Sequence, residues 1–182
     1  MKNYVVVVLG SSPTALYVLK ECDNLNLKTL LLDFNKGPSF YSKIPVEKKV
    51  ISQNHFNQFC LTLLGAKINY VFIPTSDEWI VSIHNNRKLF KKNLITSQSY
   101  LDGTYLDFYD KKNLYRLCGR HKINFPKTKV FRGKTLENLK KNSNLEYPLF
   151  IKPSRREQLS KIMKGRKGWL LNNYDDIKKI PV

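Results

Sequence analysis

The sequence predicts an α/β fold: a parallel sheet with crossover helices, followed by a smaller α+β region. Two observations carry this. Continuous apolar runs alternate with helical stripes through the first hundred residues, as strands buried on both faces require. After about Asp107 that rhythm gives way to shorter strands and helices separated by basic loops. The expected boundaries are residues 1–106 and 107–182.

The elements follow in order. Asn3–Leu9 is a Val-rich strand, and Gly10–Thr14 turns the chain. Ser12 is placed to cap a helix, with Pro13 at its first position. Ala15, Leu16, Leu19 and Cys22 form that helix's apolar stripe. Lys28–Phe34 is a second buried strand containing Asp33, and Asn35–Pro45 is a loop. Phe56, Phe59, Cys60, Leu63 and Leu64 recur at helical spacing. Tyr70–Ile73 is a third strand, broken by Pro74. Thr75 and Glu78 are spaced as a capping box for a helix running to about Phe90. Further on, Asp110 caps a helix with the stripe Leu114, Leu117, Cys118 and His121. Strands are expected at Thr128–Phe131, Tyr147–Lys152 and Trp169–Leu171, a short helix around Leu136 and Leu139, and a helix at Tyr174–Ile180.

Composition narrows the function classes. The formal net charge is +18, from 25 Lys and 7 Arg against 14 acids. Abundant Lys together with 17 Asn is the mark of an AT-rich codon usage, which accounts for part of the excess. The remainder is uneven: residues 1–91 hold 11 basic and 6 acidic side chains, residues 92–182 hold 21 and 8. Such a field favours an anionic ligand, either a nucleotide or a nucleic acid. No run approaches the roughly 20 apolar residues of a membrane span. Three cysteines without metal-like spacing fit a reducing, cytoplasmic setting. No catalytic or metal-ligating residue is assigned. His55, His84 and His121 lie far apart, and Cys60 and Cys118 fall on apolar stripes as inert core thiols.

Aligning Gly10, Ser12 and Ala15 with the dinucleotide fingerprint places a serine where the backbone must approach a pyrophosphate, although Asp33 falls about where a ribose-binding acid would sit. The alternative to a dinucleotide is a tight strand-to-helix turn beside a small anion or substrate. Ser12 and Asp33 are expected at one edge of a shared crevice.

Three groups of residues carry a resemblance. Gly10-Ser11-Ser12-Pro13-Thr14-Ala15, Gly37–Ser42 and Pro74–Glu78 resemble the N-terminal domain of ATP-grasp enzymes. Asp110-Lys111 opening a helix, then Ile123–Thr128, then Tyr147-Pro148-Leu149-Phe150-Ile151-Lys152-Pro153 are similar to that superfamily's order of motifs. The likeness falls in the carboxylate–amine ligase branch, which includes carbamoyl-phosphate synthase. It implies a Rossmann-like pre-ATP-grasp domain followed by the first ATP-grasp subdomain. It also implies ATP as the nucleotide, with Lys111 and Lys152 on its phosphates in one cleft; in the basic loop that follows, Lys167 is the candidate for a further phosphate clamp, the alternative being a solvated loop face. Gly10, Ser11, Ser12, Asp33 and Ser76 would line the side of a small carboxylate or amine substrate. The implied reaction activates a carboxylate as an acyl phosphate and joins it to an amine.

Two departures stand against the pattern. The loop after Lys152 carries Arg155, Arg156, Lys161, Lys164, Arg166 and Lys167, with only Gly165 and Gly168 where relatives have a Gly/Ser-rich flap. The sequence also stops before the hinge and the acidic residues that hold magnesium. The expectation is therefore a truncated ligase portion, inactive alone, with magnesium only if a second half completes it, from a partner chain or another copy. The competing class is a basic nucleic-acid-binding protein. It would need aromatics interleaved with Lys and Arg, whereas most aromatics here fall on apolar stripes or strands.

Overall fold

The computed structural model describes residues 4–130, 145–154, 166 and 168–180. The chain divides into two compact units, Met1–Leu106 and Asp107–Val182.

The first unit is a five-stranded sheet, and every pairing in it is parallel. Strand β1 (Tyr4–Leu9) lies at its centre because its side chains are apolar on both faces. Val6 and Val8 point to one face, where Ala15, Leu19 and Cys22 of helix α1 (Pro13–Asn24) cover them. Val5, Val7 and Leu9 point to the other, against Phe56 and Cys60 of α2 (Phe56–Leu64) and Trp79 and Ile83 of α3 (Asp77–Asn85). Strand β2 (Thr29–Asp33) pairs with one side of β1, and β4 (Asn69–Pro74) with the other. The crossover direction thus reverses at β1, which places a crevice at the carboxyl ends of β1 and β4. The expected parallel arrangement of these three strands is what the fold contains.

Two strands were not legible in the sequence. β3 (Glu47–Val50) pairs with β2 at one edge, and β5 (Leu94–Ile95) pairs with β4 at the other. β3 is polar, and its Lys48 donates to the carbonyls of Phe40 (3.0 Å) and Ser42 (2.6 Å), fastening the preceding loop to the edge. β5 is too short to show a period.

The capping box at Thr75 and Glu78 does not form. Thr75 instead turns back to β1: its backbone N–H and its hydroxyl both donate to the Leu9 carbonyl, each at 2.8 Å. Ser76 takes the N-cap position without a side-chain cap bond. The helix stops at Asn85, not Phe90, because Asn86 caps it. Asn86 donates through its backbone to Ser82 and Ile83 and through its side chain to Ser82, and a 3-10 turn at Arg87–Leu89 follows. Two four- and six-residue helices, α4 (Gln98–Leu101) and α5 (Thr104–Tyr109), lead out of the unit.

The second unit opens with α6 (Lys111–Arg120), capped as expected by the Asp110 carboxylate accepting from Lys112 N at 3.0 Å. Its stripe of Leu114, Leu117 and Cys118 is half-buried, and His121 is an exposed C-cap. β6 (Leu149–Ile151) and β7 (Trp169–Leu171) pair antiparallel. A small core of Leu171, Ile177 and Ile180, with Leu149, Ile151 and Trp169 against it, covers one face of this hairpin. Tyr174–Lys179 is a 3-10 helix rather than an α-helix, started by Asn173 accepting from Asp175 N and Asp176 N. The expected strand at 128–131 is irregular over residues 128–130, where Thr128 donates its hydroxyl to the Pro126 carbonyl at 2.6 Å. Phe131 and the helix expected around Leu136 and Leu139 lie outside the described residues. No described helix is long and apolar enough to cross a membrane.

Candidate functional site

A cleft of about 760 Å³ in the second unit is the strongest candidate. Helix α6 supplies one wall. Lys111 stands at its first position, and Tyr115 one turn further on faces the same way, as residues four apart do. The exit of β6 supplies the other. Strand pairing fixes Ile151, so Lys152 and Pro153 leave the sheet in a set direction. Ser154 then ties the two walls together. Its hydroxyl donates to the Asp110 carboxylate, and its carbonyl accepts from Lys111 N at 3.3 Å and Lys111 Nζ at 3.4 Å.

Lys111 and Lys152, 41 positions apart in the chain, therefore line the same cleft. The Lys152 ammonium donates to the Tyr115 hydroxyl at 2.7 Å, and the Tyr115 ring stacks on Phe125 at 5.4 Å between centroids. Lys112, Lys127 and Lys129 also line the cleft, and among the described residues Glu146 is the one acid in its wall. Glu146 pairs with Lys127 at 2.6 Å, and that hydrogen bond holds its carboxyl below the usual carboxylate range. Among the described residues, five lysines against one paired carboxylate give the cleft a positive field that favours an anionic ligand, and compact ammonium groups act on phosphate as point charges. Lys167 lies outside the described residues. Sequence reasoning missed Tyr115 and the lysines at 112, 127 and 129. The helical spacing from Lys111 was the signal for Tyr115, and Lys127 lies within the Ile123–Thr128 motif; nothing in the pattern marked Lys112 or Lys129.

The first unit gathers Gly10, Ser11, Ser12 and Asp33 at the carboxyl ends of β1 and β2. Ser11, not Ser12, meets Asp33: its hydroxyl donates to one carboxylate oxygen. The other oxygen accepts from the buried Trp79 indole at 3.0 Å and from Phe34 N at 2.7 Å. Trp79 also stacks on Phe34 at 3.9 Å. Ser12 is occupied as the N-cap of α1, accepting from Ala15 N at 3.4 Å. The turn at Pro38–Tyr41 closes over this loop, with Ser39 donating from its backbone to Ser11 O (3.1 Å) and from its hydroxyl to Ser12 O (2.8 Å). Gly10 has φ +102°, and a Cβ there would come within 2.6 Å of Thr75 Oγ1 and 3.3 Å of Trp79. Its glycine character serves the close packing of Thr75 and Trp79. Ser76 is half-buried at the start of α3.

Solved structures share this architecture. A carboxyaminoimidazole ribonucleotide synthase from Aspergillus clavatus, complexed with ATP, superposes with TM-score 0.71 at 17% identity, over 98% of this chain and 44% of that one. The N5-carboxyaminoimidazole ribonucleotide synthetase of Thermotoga maritima superposes with TM-score 0.63 at 14% identity, over 100% and 44%. The chain has the fold of part of these synthetases. A second Aspergillus clavatus structure, with ADP and 5-aminoimidazole ribonucleotide, gives TM-score 0.64 at 16% identity over 98% and 43%. The chain thus spans less than half the length of the synthetases it matches. No family model matches the sequence, and no curated protein does.

Proposed function

We propose that this chain is the nucleotide-binding, amino-terminal portion of an ATP-dependent carboxylate–amine ligase, with the triphosphate of ATP received between Lys111 and Lys152. The observation that carries this is the convergence of those two lysines on one basic cleft, held by the Ser154 bonds to the start of α6. The ammonium groups would screen the phosphate charges on binding, and the same charges would stabilise the transferring phosphoryl group. In the complete reaction the carboxylate becomes an acyl phosphate and the amine displaces phosphate from it. The ATP, ADP and 5-aminoimidazole ribonucleotide bound in the structural neighbours support a nucleotide and a small amine as ligands. We assign Gly10, Ser11, Ser12, Asp33 and Ser76 to the substrate side, with the Asp33 carboxylate already engaged by Ser11 and Trp79. No group of three or more His, Cys, Asp or Glu converges among the described residues. No magnesium ligand is assigned to them.

Contacts from the half-buried Lys111 and the exposed Lys152 to phosphate are worth little each, so this chain should bind ATP with a Kd no better than about 1 mM, about −4 kcal/mol. It should release no ADP on its own. An NMR titration with ATP and with a short oligonucleotide at two salt concentrations tests the reading. Millimolar ATP binding weakened a few-fold by Lys152→Ala supports it. Oligonucleotide binding that falls steeply with salt, with no response to ATP, overturns it in favour of nucleic acid.

A further inference from the structure

We propose that Tyr115 is the positioning residue for Lys152, a role that rests on the ATP reading above. Lys152 sits on an irregular segment beyond the end of β6, and a lysine side chain there has four rotatable bonds to order before it can meet a phosphate. The structure supplies the ordering from the opposite wall. The Tyr115 hydroxyl accepts from the ammonium at 2.7 Å, and the ammonium lies 5.2 Å from the ring centroid. The ring is itself held, stacked within 16° of parallel on Phe125. Tyr115 stands four residues from Lys111 on α6, so one helical face carries the first lysine and the group that aims the second. A phenol suits this role because it is uncharged. It orients the cation through a lone pair without cancelling the charge that the phosphate must meet, as a carboxylate at the same place would.

The test uses the full chain and three variants: Tyr115→Phe, Lys152→Ala and the double variant. Tyr115→Phe removes only the hydroxyl and keeps the ring on Phe125. ATP is titrated by NMR into each protein, and the lysine side-chain resonances are followed without ATP, that of Lys152 being identified by its loss in Lys152→Ala. The expected result is a loss of ATP affinity of about three- to fivefold in Tyr115→Phe, the range of one partly exposed charged hydrogen bond. That loss should vanish when Lys152 is already alanine, because the two residues act as one unit. The Lys152 resonance should shift in Tyr115→Phe before any nucleotide is added.

A merely structural role for Tyr115 would lower affinity equally in both backgrounds, which overturns the proposal. Unchanged affinity in Tyr115→Phe, with Lys152→Ala still weakening ATP, overturns the positioning role and leaves the ATP reading standing. ATP binding that Lys152→Ala does not touch overturns the ATP reading and the positioning role with it.

Discussion

The hydroxyl of Ser154 donates to the Asp110 carboxylate, tying the residue after the Lys152–Pro153 pair to the cap of the helix that begins with Lys111. One side chain thus sets the distance between two lysines that the sequence separates widely. Asp110 serves two partners at once, accepting also from Lys112 N, so the cap and the strap share an acceptor.

Ser154→Ala should therefore act on the cleft more than on the fold. ATP affinity is expected to fall about two- to fivefold, and global stability by no more than about 1 kcal/mol, the scale of one half-exposed hydrogen bond. Ser154→Thr keeps the hydroxyl and should restore affinity. Calorimetric titration beside urea unfolding separates the two effects; a stability loss with ATP affinity intact would show that Ser154 does not position the lysines.

Gly10→Ala should destabilise the first unit by about 2 kcal/mol or more. The residue holds φ +102°, which an L side chain rarely adopts, and its Cβ would press on Thr75 and Trp79. Urea unfolding followed by tryptophan fluorescence gives the shift in midpoint. A change below about 0.5 kcal/mol would mean that the turn relaxes without loss.

Tyr105 predicts an alkaline transition. Burial, then its hydrogen bond to Asp77, raise its phenol from 10.0 to about 12. The fold thus favours the neutral phenol. Its contribution is fully present below pH 10 and is lost as pH climbs through 12. The wild-type chain should lose stability across that window more steeply than Tyr105→Phe, whose ring cannot ionise. Equal slopes in urea midpoints between pH 9 and 12 would refute the assignment.

The cysteines should separate by reactivity. Burial pushes the Cys60 thiol up to about 12 and raises that of Cys22 as well, whereas Cys118 is only half-buried. The thiolate is the reactive form, so iodoacetamide at pH 8 should label Cys118 first. Cys22 and Cys60 should react only after denaturation. Peptide mass spectrometry reads the order directly, and early labelling of Cys60 would contradict its place in the core.

The central sheet was legible because β1 and β2 are apolar on both faces and their partner helices repeat at helical spacing. Ser12 and Asp110 declared themselves as caps by type and position. β3 stayed hidden because an edge strand of Glu, Lys, Lys and Val has no apolar face to show. The Thr75 box failed because a tertiary acceptor, the Leu9 carbonyl, lay within reach of the same hydroxyl. Cys118 was expected in a core, but the α6 stripe is covered only in part. At the candidate site, motif order in the chain singled out Lys111 and Lys152, and both line one cleft. Spacing alone did not reveal Ser154 as the link between them, since that bond spans 44 positions.

The lysines of β3 have a consequence for how the protein behaves when crowded. An open parallel sheet offers unpaired backbone groups at each margin, and another chain can add to them. Here one margin bears Lys48 and Lys49, with Lys48 drawn in to bind the neighbouring loop and Lys49 standing 5.4 Å from the Phe59 ring. The opposite margin is only two residues long. Neither offers a flat, apolar template. Aggregation through sheet extension should therefore be slow, and Lys48→Val, which removes the charge and frees the loop, is the substitution that would invite fibres.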